Sequence, residues 1–152
     1  MPGVAPSHLY MFVAMIAVST LLVASFMAYA NTLRLSAEVR QLENLMDHVA
    51  AKSTELLVLT MATNASCEAF LQMPTAIGVK EYWLQLHNDS AKAWLDGGLG
   101  NVPTGGAELR VYLPNEALAI GHYVGGYGAA HLRCEIVSDS PQIQLTNSSA
   151  GV

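Results

Sequence analysis

Charge is scarce in this chain. Asp, Glu, Lys and Arg make up only 12% of its 152 residues, roughly half the share of an ordinary soluble domain. Seven basic residues stand against twelve acidic ones, for a net charge of −5. The basic footprint of a general nucleic-acid binder is therefore missing. Cysteine occurs twice, and two cysteines carry no spacing signature of a zinc motif or a disulfide framework. With 52% hydrophobic residues and no repeating glycine, the chain is neither a disordered tail nor a collagen. The sharpest absence is local. Residues 9–30, LYMFVAMIAVSTLLVASFMAYA, hold no charge, no Pro and no Gly.

What fills that gap is apolar mass. As a helix rising about 1.5 Å per residue, this stretch covers roughly 33 Å, enough for a bilayer core of about 30 Å. A secretory signal peptide competes with a retained span, and the AYA ending at Ala30 suits cleavage. The run outlasts the usual h-region, however, and the leader MPGVAPSH carries no Lys or Arg. A retained membrane helix is the expectation.

The next absence extends the helix. No Pro or Gly occurs in residues 31–61. Leu35, Val39, Leu42, Met46, Val49, Ser53, Leu56 and Thr60 recur at alternating steps of four and three, the spacing of a heptad seam. Glu38, Arg40, Glu43, Asp47, Lys52 and Glu55 fall off that stripe. One helix from about His8 to Met61 would be roughly 80 Å long. The stripe can pack on the chain's own head or on copies of itself. Fewer than four full heptads make it weak evidence for a coiled coil on its own.

Beyond Thr63-Asn64-Ala65-Ser66, Gly and Pro punctuate short apolar runs. Strands are expected at 68–73, 81–87, 91–95, 107–112, 119–123, 131–137 and 142–145, and YWLQLH, ELRVYL and QIQL alternate at period two. Turns are expected at Met73-Pro74, Asn88-Asp89-Ser90, Asp96-Gly97-Gly98, Pro103-Thr104-Gly105-Gly106, Pro114-Asn115 and Ser140-Pro141. The segment GHYVGGYGAAH matches no phosphate-binding fingerprint and reads as a flexible, aromatic-bearing loop. The fold class is α+β: a leader over 1–8, a long hydrophobic then amphipathic helix over 9–62, and a small antiparallel β-sandwich-like head over 63–152.

Signals for the side of the membrane oppose each other. Asn64, Asn88 and Asn147 begin Asn-X-Ser sequons, candidate N-glycosylation sites of an exterior domain. Cys67 and Cys134 lie at the edges of expected strands and are a candidate disulfide pair, which would persist only in an oxidising compartment. Two unpaired buried thiols are the equal alternative. Counting Arg34 and Arg40 after the span against no basic residue before it puts the head in the cytoplasm instead. The sequons and a head with four basic and eight acidic residues tip the balance outward.

An uncharged span, an unbroken helix after it and a β-rich, sequon-bearing tail resemble the plan of type IV pilin-like proteins. More particularly they resemble archaeal pilins and archaellum-associated single-span proteins. The segment LQMPTAIGVKEYWLQLHNDSAKAWLDGGLG, residues 71–100, is similar to a pattern in such archaeal proteins. Two features depart from the family. The leader lacks the basic residues of a class III signal, which leaves a start near the mature end or an unprocessed relative. No Glu precedes Glu38, whereas bacterial-type pilins carry one soon after the mature N-terminus.

The resemblance implies a structural subunit of an extracellular, type IV-like filament at the cell surface, parked in the membrane before assembly. Its partners would be copies of itself and a pilus assembly machinery, with no nucleic acid. The implied assembly surface runs along Leu9, Phe12, Ile16, Leu21, Leu22, Phe26, Leu35, Val39, Leu42, Met46 and Val49. The small residues Ala14, Ala17, Ser19, Ala24, Ser25 and Ala28 would allow close helix approach. An anchored accessory or stator-like β-domain is the alternative.

Catalytic patterns are thin. His131 and Cys134 lie three apart, with no complete zinc ligand set in the spacing. Asn44, Asp47 and His48 read as a solvated helix face. No Gly-X-Ser-X-Gly elbow is present. The chain is therefore not expected to be an enzyme or to need a cofactor. Of the aromatic residues, one of Tyr82 and Trp83 should be core, since neighbours on a strand face opposite sides. Tyr123 and Tyr127, beside the Gly-Gly pair, are the candidates for exposed contact.

Overall fold

A computed structural model of the chain describes residues 5–89, 91–100, 107, 109–114 and 117–148. Helix α1 runs over Ala5–Thr63, and seven strands follow: β1 (Cys67–Leu71), β2 (Tyr82–Asn88), β3 (Ala93–Leu99), β4 (Leu109–Tyr112), β5 (Leu118–Val124), β6 (Ala130–Val137) and β7 (Ser140–Asn147). Each strand matches one expected from the alternation, with ends shifted by a few residues. Two compact units meet in the sequence at Ala37 and Glu38.

In the unit that starts at Glu38, the seven strands form one sheet in the order β1-β6-β7-β5-β2-β3-β4. Neighbours are antiparallel except β5 and β7, which run parallel. Helix residues 38–63 cover one face, so the layer facing the sheet is the helix rather than a second sheet. Leu42, Met46, Val49, Ser53, Leu56 and Thr60 are buried, and their hydrophobic members join Tyr82, Leu84, Leu95, Tyr123, Leu132, Ile143 and Leu145 in a single core. The four-three stripe therefore packs on the chain's own head. Each large apolar side chain so buried contributes about 1.5–3 kcal/mol relative to exposure.

The stripe carries two hydroxyls, and both are satisfied. Ser53 Oγ donates to the Val49 carbonyl at 2.8 Å, and Thr60 Oγ1 to the Cys134 carbonyl at 3.5 Å. The helix ends where the composition changes. Asn64 takes a left-handed φ of 53° and donates its N–H to the Thr60 carbonyl at 2.9 Å, a C-terminal cap.

Several expected turns are not turns. Asp96, Gly97 and Gly98 lie inside β3, where the missing side chains admit close neighbours. A Cβ on Gly97 would stand 2.6 Å from Met46 Sδ, and one on Gly98 would press 2.8 Å from the Trp83 ring. The last hairpin turns at Ser138 and Asp139, both at positive φ, and not at Ser140-Pro141, which are already in β7. Asp139 tolerates that conformation better than most residues. The expected flexible loop is also shorter. His122 and Tyr123 belong to β5, and Gly121 sits in that strand at φ 113° beside the parallel partner β7. The turns expected at residues 103–106 and at Asn115, like Ser90 and Ser149 of two sequons, fall outside the described residues.

Glu38 falls off the apolar stripe, yet it is only 6% exposed. The reason is a tight turn that closes with an Ile77–Lys80 bridge and has Gly78 at φ 64°. It brings Lys80 Nζ to 3.3 Å from Glu38 Oε2. A Cβ on Gly78 would press on the same carboxylate. Tyr82 and Tyr123 are both fully buried, and each hydroxyl donates to a carbonyl at 2.7 Å, of Pro74 and of Gly128. Burial pushes both phenols above their ordinary range.

Two tests follow from this packing. Gly121→Ala would place its Cβ 2.0 Å from the Leu145 carbonyl oxygen, at a φ that L-residues rarely adopt. It should destabilise the head by about 2 kcal/mol or more, read as a lower midpoint of thermal unfolding of the full chain in detergent. For Tyr82 and Tyr123 the folded state holds the neutral form. Their contribution is complete below the unfolded phenol value of about 10 and declines as pH rises past it. Absorbance at alkaline pH should show these two phenolates appearing together with loss of tertiary signal, not before it.

Candidate functional site

The unit preceding Glu38 is helical from Ala5, and residues 6–37 are exposed. Leu9, Phe12, Ile16, Leu21, Leu22, Phe26 and Leu35, all expected on the assembly surface, present their side chains without cover, from 51% to 71% exposed. The described residues contain one helix long and apolar enough to cross a bilayer. The polar side chains within it suit lipid. Ser19, Thr20, Ser25, Thr32 and Ser36 each donate to the carbonyl four residues earlier, at 2.8–3.0 Å. A hydroxyl paired this way leaves no unsatisfied donor toward hydrocarbon.

The assembly stripe does not continue intact into the second unit. Val39 is half-buried, and Leu42, Met46 and Val49 are fully buried against the sheet. These three are spent on the intramolecular core and are not presented to another chain. The period could not distinguish the two uses, because a self-packing stripe and an intermolecular seam have the same four-three spacing.

The sheet's other face carries a polar cluster that the reading of turns concealed. Asp96 is 6% exposed and accepts from Arg110 Nε at 2.8 Å, Arg110 Nη2 at 3.1 Å and Trp94 Nε1 at 3.1 Å. Its carboxylate holds the Arg110 guanidinium above the ordinary value through that hydrogen bond. His87 Nε2 stands 3.7 Å from the same carboxylate, the His87 ring stacks on Trp94 at 5.9 Å, and Arg110 lies 4.9 Å over the indole. The alternation of ELRVYL could have revealed Arg110 on an outward face, but no local signal marks Asp96 as buried. With its carboxylate oxygens accepting from Arg110 across on β4 and from Trp94 on its own strand, and with His87 of β2 beside it, this cluster ties β2, β3 and β4 together.

The other candidate groups are dispersed. His131 and Cys134 point to opposite faces of β6: His131 stacks on Phe70 at 4.6 Å and faces Glu68 at 3.2 Å, while Cys134 is in the core. Among the described residues no group of three or more His, Cys, Asp or Glu is gathered closely enough to hold a metal ion. Asn44 and His48 line an open groove of about 420 Å³ with Leu45, Pro74 and Ile77, while Asp47 is exposed. Tyr127 is exposed as expected, but Tyr123 is not. Tyr82 and Trp83 are both buried, Tyr82 in the core and Trp83 over Gly98.

The sequon asparagines are not equivalent. Asn64 and Asn88 are exposed. Asn147 is half-buried, with its amide donating to the Val124 carbonyl at 2.9 Å and accepting from the Val124 N–H at 3.2 Å. Cys67 and Cys134 are directly opposite each other on β1 and β6, and both are thiols.

The division of the helix changes which substitution tests assembly. Leu42→Asp places an unpaired charge in the core and should abolish the cooperative unfolding transition of the head. Phe26→Asp lies on the uncovered helix and should leave that transition within about 0.5 kcal/mol of wild type. It should instead weaken membrane retention, though by less than the about 2.5–3.5 kcal/mol that an acid costs at the centre of a span, because Phe26 lies toward its C-terminal end. Thermal melts and membrane fractionation of the two variants read these outcomes separately. Comparison with known proteins gives no counterpart: no protein-family model, no curated protein and no solved structure matches this chain.

Proposed function

We propose that the chain is a structural, pilin-like subunit that rests in the membrane through its N-terminal helix and assembles into an extracellular filament. The observation that carries this reading is the uncharged apolar surface of residues 9–30, whose large hydrophobic side chains are exposed. Water would penalise that surface at about 25 cal/mol per Å². Lipid removes the penalty before assembly, and neighbouring copies of the helix would remove it afterwards. The self-contained helix-and-sheet unit supports the rest of the reading, because it keeps its own core when the apolar helix changes surroundings. Repeated contacts that do not close on themselves give an open fibre.

A second reading has its own support. The seam residues from Leu42 onward are occupied by the head, so only the span itself is left for self-association. On this reading the protein is an anchored β-domain that serves a surface filament machine as an accessory.

Electron microscopy of the fraction sheared from native cells, with peptide mass identification of the fibre protein, tests the choice. Thin fibres made chiefly of this chain are the expected result, and Phe26→Asp cells should shed none. If the chain stays in membranes and is absent from all fibres, the anchored reading replaces the filament one.

A further inference from the structure

β1 is an edge strand of five residues held by one neighbour, β6. It is also the first strand after the helix, reached through Asn64, Ala65 and Ser66. Cys67 opens β1 and is the register partner of Cys134 on β6. Directly opposed residues of an antiparallel pair share a face, with Cα atoms about 4.5–5.5 Å apart. That separation falls inside the roughly 4.4–6.8 Å range that a disulfide spans. The face is the covered one: Cys134 is fully buried, and Leu71, two residues along from Ala69 on the same side of β1, is buried too. Cys67 is half-buried at the rim of this core.

We propose that Cys67 and Cys134 are oxidised to a cross-strand disulfide that clamps β1, and with it the helix exit, onto its neighbour β6. The proposal deepens the filament reading and rests on it for one thing, an oxidising compartment around the head. The unequal exposure of the two sulfurs sets the order of events. The accessible Cys67 thiolate attacks an external disulfide, such as oxidised glutathione or the disulfide of a thiol oxidoreductase. One thiol leaves and a mixed disulfide remains on Cys67. Cys134 then attacks the Cys67 sulfur and expels the second thiol. Two protein thiols become one disulfide, the donor disulfide becomes two thiols, and the two protons pass to those leaving groups. Burial pushes the Cys134 thiol up and shields it from a bulky donor, while its position opposite Cys67 offsets the smaller thiolate fraction in the intramolecular step.

The consequence is local: β1 is an edge strand with a single neighbour and can peel, and the bond would hold it covalently to β6, which is flanked on both sides.

The test uses the full chain in detergent micelles, reduced, then equilibrated across oxidised and reduced glutathione mixtures, quenched and alkylated with N-ethylmaleimide. The expected product is an intramolecular Cys67–Cys134 peptide pair, with reduction lowering the thermal midpoint by about 10 °C or more. Cys67→Ser keeps the buried Cys134 in place and should leave that thiol unalkylated until the chain is denatured. Stable glutathione adducts without ring closure would overturn the proposal. The same alkylation during extraction from native cells reads the natural state, where the chain should resist labelling until reduced. A bond that closes in micelles but is open in cells would also overturn it, and would place the head in a reducing compartment. A closed bond in a chain that forms no fibres would remove the filament reading alone.

Discussion

Burial of one stripe of one helix against one sheet face organises this protein. Leu42, Met46, Val49, Leu56 and Thr60 supply a layer that the sheet does not make for itself. A sheet with a bare apolar face cannot persist in water, so the strands need the helix as much as the helix needs them. The requirement also explains the glycines of β3. The sheet can come close under Met46 only where Gly97 removes a side chain.

The same constraint separates two kinds of apolar residue that composition cannot tell apart. The stripe residues from Leu42 onward are covered within the chain, while the apolar residues of the helix before Glu38 remain uncovered. An uncovered helix with every described Ser and Thr hydroxyl from 19 to 36 bonded to its own backbone is suited to lipid or to other helices, and poorly suited to water. Function, on this view, resides in surface that the fold leaves unused. The polar groups of the head are tied up instead. Asp96 is occupied by Arg110 and Trp94, Glu38 is met by Lys80, and Asn147 bridges to the backbone of Val124.

Much of the architecture was legible beforehand because it depends on local periodicity. The uncharged run of residues 9–30, the absence of Pro and Gly to residue 61, and the seven alternating segments each follow from spacing alone. The site was less legible. Leu35 and Leu42 look identical in the stripe, yet one is half exposed and the other fully buried. Asp96-Gly97-Gly98 looks like a turn by composition, yet it pairs with β2 and β4 as a strand, close under Met46 and Trp83.

The element order, the helix-then-sheet division and the apolar excess are written in local patterns, because backbone propensity and hydrophobic period act over a few residues. The tertiary structure decided what each surface faces: the helix as the second layer, the buried Glu38 and Asp96, the parallel β5–β7 pair and the opposition of Cys67 to Cys134. Those outcomes depend on contacts between residues distant in the chain, and no local pattern encodes a distant partner.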